Sequence, residues 1–522
     1  RNPPRIVDGR EAGRAGSWLL TTAGMCAHPL LDEAQPRPLN GDRPSRAWCA
    51  SWGLKDGSRR RRVLLGLAAV FALVIGATVV RRLSGRHKPF PDPFPEPGAG
   101  PEELVRGVSL GGWLVIEAFI TPGIFRRAND ALQRVNAHHS PPYDRIIDQW
   151  TLCEYLGPEE ALSILAPHWD GFVTRSDLER LRATGINTLR LPVPYWIVDI
   201  APGEPWVGQE RIQAALNRTL GWAAELGLKV LVDLHAAPGS QNGFDNSGHW
   251  GATNWQRPDA TGLPNIRRTL SVWVGICDLL KAAAGGAGVP LHAVLAGVEL
   301  VNEAPCFNPA IDRDVLRAFL VEGYFTVRGA LGSEHVPVYV HDCFYPHAWE
   351  DFMRGDAFQN VRLDRHEYQV FEDVKMRWPP AKHLLFACEQ AFSVQRTHRV
   401  RPTVVGEWSL ATMDCDPWLN GYGQGSRWEG TFPQPREALG SCDPYRSADA
   451  FSEDYMQFLR EYGEKQMQAW DAGLGWVFWN FKTENGTAPH FDYLLGVERG
   501  YLPAVAGTYT NGCPPLVYRE QF

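Results

Sequence analysis

Ala296-Gly297-Val298-Glu299-Leu300-Val301-Asn302-Glu303-Ala304-Pro305 is the stretch that decides how this chain reads, an apolar strand-like run closing on Asn-Glu. A second run of the same build, Pro402-Thr403-Val404-Val405-Gly406-Glu407-Trp408-Ser409, places Glu407 104 residues beyond Glu303. Working outward from these two, similar short β-branched runs fall near Arg106–Leu110, Thr188–Pro192, Lys229–Asp233, Val336–Val340, Val361–Asp364 and Gly475–Trp479. With strands near Val294–Val301 and Thr403–Gly406 the set numbers eight. Continuous apolar character such as Val230-Leu231-Val232 suits parallel strands covered on both faces. Amphipathic segments separate them, as in Ser176-Asp177-Leu178-Glu179-Arg180-Leu181-Arg182-Ala183-Thr184-Gly185, with Ser176 the expected N-cap and Gly185 the expected stop. Strand and helix alternating over eight units predicts a (β/α)8 TIM barrel. A doubly wound open sheet is the alternative, but no GxGxxG or P-loop follows the first strand.

In such a barrel, chemistry gathers where strands end. Two carboxyl groups at separate strand ends can face each other across about 5–5.5 Å, the spacing that cleaves a glycosidic bond with retention. The other strand ends carry polar side chains too. The first leads into Gly111-Gly112-Trp113 and on to Glu117. The second carries Arg190 among apolar residues, a cation costly to bury unless paired. Glu407 is its expected partner, with Glu303 the competing one. His235 closes the third, Asn302 and Glu303 the fourth, His341-Asp342 the fifth, His366 and Tyr368 the sixth, and Trp476 and Trp479 the eighth. A general acid must keep its proton near neutral pH and a nucleophile must stay ionised. Asn302 suits contact with a sugar 2-hydroxyl, and Tyr368 suits a hydrogen bond to Glu407.

Charge is divided unevenly along the 522 residues. Residues 1–90 hold 16 Lys+Arg against 6 Asp+Glu, and the remainder 36 against 53. An acidic body argues against nucleic acid as its partner. Val63 to Val80 is an 18-residue uncharged run flanked by Arg59–Arg62 and by Arg81 and Arg82, which predicts one transmembrane helix. The expected organisation is a disordered basic cytoplasmic tail over 1–62, the helix over 63–80, a Pro-rich stalk over 81–100 and the catalytic domain over 101–522. Eight of the ten cysteines follow the membrane run, with no CxxC pair or Cys/His cluster, so neither metal nor cofactor is expected. Asn217 and Asn485 head glycosylation triplets. Together with the late cysteines they favour an oxidising compartment and a single-pass type II protein at the cell membrane, with its body extracellular.

Arg106-Gly107-Val108-Ser109-Leu110-Gly111-Gly112-Trp113-Leu114-Val115-Ile116-Glu117, Asp233-Leu234-His235-Ala236-Ala237-Pro238-Gly239-Ser240-Gln241-Asn242-Gly243, Asn302-Glu303-Ala304-Pro305, His366-Glu367-Tyr368-Gln369-Val370-Phe371 and Gly406-Glu407-Trp408-Ser409 resemble the fungal exo-β-1,3-glucanases of glycoside hydrolase family five. The resemblance runs in chain order from about Arg106 to Cys513, and the membrane run and stalk resemble that family's membrane-anchored type II branch. It implies a retaining exo-acting glucan 1,3-β-glucosidase acting on cell-wall β-1,3-glucan, with Glu303 as acid/base and Glu407 as nucleophile. Glu117, His235, Asn302, His366, Tyr368 and Trp479 would line the subsite for the terminal glucose. Phe244 and Phe371 would clamp the next unit. The implied disulfides are Cys388–Cys513 and Cys415–Cys442. Cys153, Cys277, Cys306 and Cys343 receive no partner from the resemblance, and a Cys306–Cys343 bridge is a conjecture only. Ala118-Phe119 departs from the family's usual Pro and aromatic. The loop from Ala237 to Asn265 is long enough to close a pocket, which suggests exo action. The rival readings are a membrane-tethered β-glucan-binding protein without turnover, and a β-1,6-glucanase or transglycosylase using the same pair.

Overall fold

A computed structural model describes residues 103–134, 145–251, 253–258 and 264–514. The expected tail, transmembrane helix and stalk lie outside the described residues. Among the described residues no helix is long and apolar enough to cross a membrane.

Eight parallel strands close into a barrel in sequence order, β1 (Val105–Ser109), β2 (Thr188–Pro194), β3 (Lys229–Ala236), β4 (Leu295–Glu299), β5 (Val338–His341), β6 (Val361–His366), β7 (Thr403–Glu407) and β8 (Gly475–Phe478). Helices run between them, among them Gln209–Leu226, Asn265–Gly286, Arg313–Leu331 and Pro380–Val400. β4 is shorter than its apolar sequence implies. Leu291–Val294 forms a helical turn before it, and the chain leaves the ladder at Leu300 to carry Asn302 and Glu303 over the barrel mouth.

Alternation along the strands sorts the side chains into two environments. Val230, Val232 and Leu234 join the large apolar core. On the other face of β3, Leu231 packs with Tyr339, Val404 and Leu474 in a small separate cluster. Asp233 and His235 share that second face, above Leu231, and both are fully buried. The apolar cluster therefore plugs the barrel, and ionisable groups are stacked toward its C-terminal end.

The helix Arg175–Ala183 starts two residues earlier than the reading with Ser176 as cap. Thr174 is the cap, because its hydroxyl accepts the Asp177 N–H at 3.2 Å while the Asp177 carboxylate accepts the Thr174 N–H at 3.0 Å. That reciprocal pair satisfies two end donors that Ser176, already inside the first turn, cannot serve. Gly185 follows the helix at φ +84°, where a side chain would be strained.

Three disulfides join the described residues: Cys388–Cys513, Cys415–Cys442 and Cys306–Cys343. Cys153 and Cys277 are free and buried. Cys388–Cys513 ties the helix Pro380–Val400 to the chain's end across 125 residues of sequence. Closing so long a loop restricts the unfolded chain strongly. The double variant C388A/C513A should lose about 2–4 kcal/mol of unfolding free energy by denaturant titration.

Candidate active site

Glu407 ends β7 directly opposite His366 of β6, with a register shift just before that pair. Its Oε1 accepts Arg190 Nη1 at 2.7 Å and its Oε2 accepts the Tyr368 hydroxyl at 2.8 Å. Glu303 lies beyond β4 at φ +43°, a left-handed conformation sparsely populated by residues other than glycine. The residue before it is pinned on several sides. The Asn302 N–H donates to the Leu234 carbonyl at 3.0 Å, its own carbonyl accepts Gln241 Nε2 at 3.0 Å, and its Oδ1 accepts Arg190 Nη2 at 2.8 Å. Fixed in this way, the turn brings Glu303 back across the mouth.

The ring of His366 measures the gap between the two glutamates. Its Nδ1 lies 2.7 Å from Glu303 Oε1 and 3.5 Å from Glu407 Oε2. Those two oxygens can be no farther apart than the two legs laid end to end, roughly 6 Å, which admits the retaining spacing of about 5–5.5 Å. Asn246 Nδ2 donates to the other oxygen of Glu303 at 3.3 Å. Burial raises the proton affinity of Glu407 well above the usual carboxylate range, and Glu303 adds to the rise. Arg190 and the Tyr368 hydroxyl oppose it. Both oxygens of Glu407 already accept donors, the pattern of a carboxylate.

Arg190 is fully buried and its partners are more numerous than the sequence reading held. It contacts Glu407 as expected, together with Glu299 Oε2 at 2.9 Å and Asp233 Oδ2 at 3.1 Å. Glu303, the competing partner, is engaged by His366 and Asn246 instead. Burial works against the Arg190 charge, and Asp233, Glu299 and Glu407 outweigh it.

The remaining expected residues gather around the same mouth. His235 Nδ1 meets Asp233 Oδ2 at 2.6 Å, and its ring stacks on Trp479 with centroids 5.3 Å apart. Burial, aided by Arg190, pushes the His235 pKa down to about 3, so the ring is neutral at working pH. Trp479 is packed from below by Gly111, where a Cβ would stand 2.6 Å from the indole. Burial holds Glu117 well above the carboxylate range, helped by Asp245. Phe371 is half-buried and edges against Tyr368 at 5.3 Å. Phe244 is half-buried on the β3 loop that also supplies Asn246. Glu117 Oε1, His235 Nε2, Asn302 Nδ2 and His366 Nε2 are buried without hydrogen-bond partners. Such groups are costly to leave unmade, and hydroxyl-rich ligands satisfy them.

Sequence reasoning missed Asp233, Glu299 and Asp364 as site residues, along with Asn246. The first three interrupt apolar strands on the inward face, which was the available signal. Cys306–Cys343 staples the exits of β4 and β5 three residues beyond Glu303. Glu303, His341 and His366, and likewise Glu299, Asp364 and His366, bring ligand-type atoms within 4.8 Å of one another. Arg190 already holds Glu299 and would repel a cation set beside it, and Glu303 is already engaged by His366 and Asn246, so we read both sets as hydrogen-bonding groups.

Comparison with known proteins places this arrangement. No family model matches the chain. It is 36% identical to a probable glucan 1,3-beta-glucosidase A of Aspergillus terreus, over 77% of this chain and 88% of that protein. It is 34% identical to a glucan 1,3-beta-glucosidase of Candida oleophila, over 79% and 92%. The chain belongs to the glucan 1,3-beta-glucosidase family. It is therefore a glycoside hydrolase. Among solved structures, a rutinosidase from Aspergillus niger shares the fold at a TM-score of 0.55 and 19% identity, covering 76% of this chain and 97% of that one.

Within this family member, Arg190 is the cation on which three buried acids depend. Replacing it with methionine (Arg190→Met) should cost about 3–5 kcal/mol of stability, the usual penalty for uncompensated buried charge. Chemical denaturation checks this, and an unchanged midpoint would contradict the assignment.

Proposed function

We propose that this chain is a retaining, exo-acting glucan 1,3-β-glucosidase that removes terminal glucose from cell-wall β-1,3-glucan. The observation carrying this reading is the pair of glutamates bracketing His366 Nδ1 at 2.7 and 3.5 Å. Family membership supplies the substrate class, since the relatives are named for 1,3-β-glucan.

In the proposed cycle Glu303 protonates the glycosidic oxygen while Glu407 attacks the anomeric carbon and the C–O bond to the leaving sugar breaks. A glucosyl ester forms on Glu407. Glu303, now ionised, takes a proton from water, whose oxygen attacks the same carbon and frees Glu407 with net retention. Arg190 and Tyr368 hold Glu407 in place for the attack. Glu117, His235, Asn302, His366 and Trp479 form the terminal-glucose subsite, and the unpartnered Glu117 Oε1, His235 Nε2 and Asn302 Nδ2 meet its hydroxyls. Phe244 and Phe371 flank the following unit. The β3 loop, which sends Asn246 to Glu303, narrows the mouth and favours attack at chain ends.

We further propose a single-pass type II protein held at the cell membrane through residues 63–80, with its catalytic domain outside. Three disulfides suit an oxidising compartment. Asn217 and Asn485 are both exposed and open to glycan attachment.

Glu303→Gln and Glu407→Gln should each lower laminarin hydrolysis by several orders of magnitude, with glucose the first product of the wild type. Near-normal turnover in either variant would end the assignment. Early release of long oligosaccharides would refute exo action.

A further inference from the structure

Beneath the paired glutamates lie two carboxyl groups that the proposed cycle does not use. Glu299 ends β4 and Asp364 lies on β6, and neither has any solvent exposure. Half of their oxygens are accounted for. Glu299 Oε2 accepts Arg190 Nε at 3.2 Å and Nη2 at 2.9 Å. Asp364 Oδ1 accepts the Gly406 N–H at 2.8 Å. The other oxygen of each, Glu299 Oε1 and Asp364 Oδ2, is buried and meets no donor. Yet an oxygen of each carboxyl lies within 4.8 Å of the other and of a His366 ring nitrogen.

Ionised carboxylates are acceptors only, so neither orphaned oxygen can satisfy the other unless a proton lies between them. Without it, two like charges would face each other in a low-dielectric interior. Arg190 cannot remove that repulsion, because its single charge is already divided among Asp233, Glu299 and Glu407. We propose that Glu299 and Asp364 share one proton and together form a positioning dyad for Glu407. One arm runs from Glu299 through Arg190 to the Glu407 carboxylate. The other runs from Asp364 to the peptide N–H of Gly406, the residue immediately before Glu407. Gly406 shows how closely that second arm fits, since a Cβ there would stand 2.1 Å from Asp364 Oδ1.

Protonation is favoured by the surroundings. Burial, with Glu407 nearby, raises Asp364 well above the carboxylate range, and burial lifts Glu299 to about 7. His366 Nε2, also unpartnered, stands 3.9 Å from Asp364 Oδ2 and completes a set of atoms that a bound cation would also suit. A cation there would sit against Arg190, whereas a shared proton satisfies both orphaned oxygens and adds no charge centre.

The dyad's role rests on Glu407 being the nucleophile, so the test has one arm that needs no turnover. Infrared difference spectra of the full chain should show a deuteration-sensitive carboxylic-acid band in the wild type that is lost in Asp364→Asn. In the second arm, Asp364→Ala should lower kcat on an aryl β-glucoside about 10- to 100-fold, the scale of one broken buried hydrogen bond to a charged network. Asp364→Asn keeps an acceptor for Gly406 and a donor for Glu299, and should restore kcat to within about threefold. If Asp364→Ala does not fold, the asparagine variant and the spectra still decide. An unchanged acid band in Asp364→Asn, equal losses in both variants, or one equivalent of metal in the purified wild type would each overturn the proposal. A wild type without glucosidase activity would sink the reading of Glu407, and the spectra alone would then judge the shared proton.

Discussion

The guanidinium of Arg190 is the interaction on which the rest of this molecule depends. It stands at the centre of a closed barrel with no access to solvent, against Asp233 of β3, Glu299 of β4 and Glu407 of β7. Remove it, and three buried acids lose their only fixed cation among the described contacts. Keep it, and four strands are tied to a common point beneath the mouth. The Asn302 side chain joins the same group, so the residue that launches Glu303 into its left-handed turn is anchored by the cation that holds Glu407. The geometry of the glutamate pair is thus set from below by one residue and from above by the His366 ring.

This arrangement explains why the barrel tolerates so many ionisable groups in its interior. The apolar plug of Leu231, Tyr339, Val404 and Leu474 closes the lower end, and nothing charged lies within that cluster. Above it, alternation gives a charged layer and then a layer of neutral imidazoles. Burial pushes His235, His341 and His366 all below the ordinary histidine range. Neutral rings can both donate and accept, which suits them to hydroxyl groups and to a carboxyl pair that exchanges protons. Cys306–Cys343 closes the structure at the top by joining the two exits nearest Glu303.

Much of this was legible in the chain itself, and the reasons are local. Val230-Leu231-Val232 and Thr403-Val404-Val405 read as buried parallel strands because continuous β-branched runs have few other uses. Glu303 and Glu407 stood out because each ended such a run. What the chain could not show was pairing across the barrel. Arg190 is 109 residues from Glu299 in sequence, and no pattern within β2 names its partners. Asp233, Glu299 and Asp364 looked like interruptions of apolar strands, and only closure turned their common face into one cluster. The cap at Thr174 was displaced for a smaller reason. Threonine and serine both qualify by type, and the reciprocal bond with Asp177 selects between them.

The central claim is that Glu407 bonds covalently to glucose while Glu303 manages the proton, and trapping the intermediate tests it most directly. A 2-deoxy-2-fluoro β-glucoside with a good leaving group slows the second step more than the first, so the ester should accumulate. Mass spectrometry of the digested protein should find one fluoroglucosyl group on the peptide that contains Glu407. Finding the label on another carboxylate, or no label while the fluoroglucoside is hydrolysed with inversion, would contradict the account.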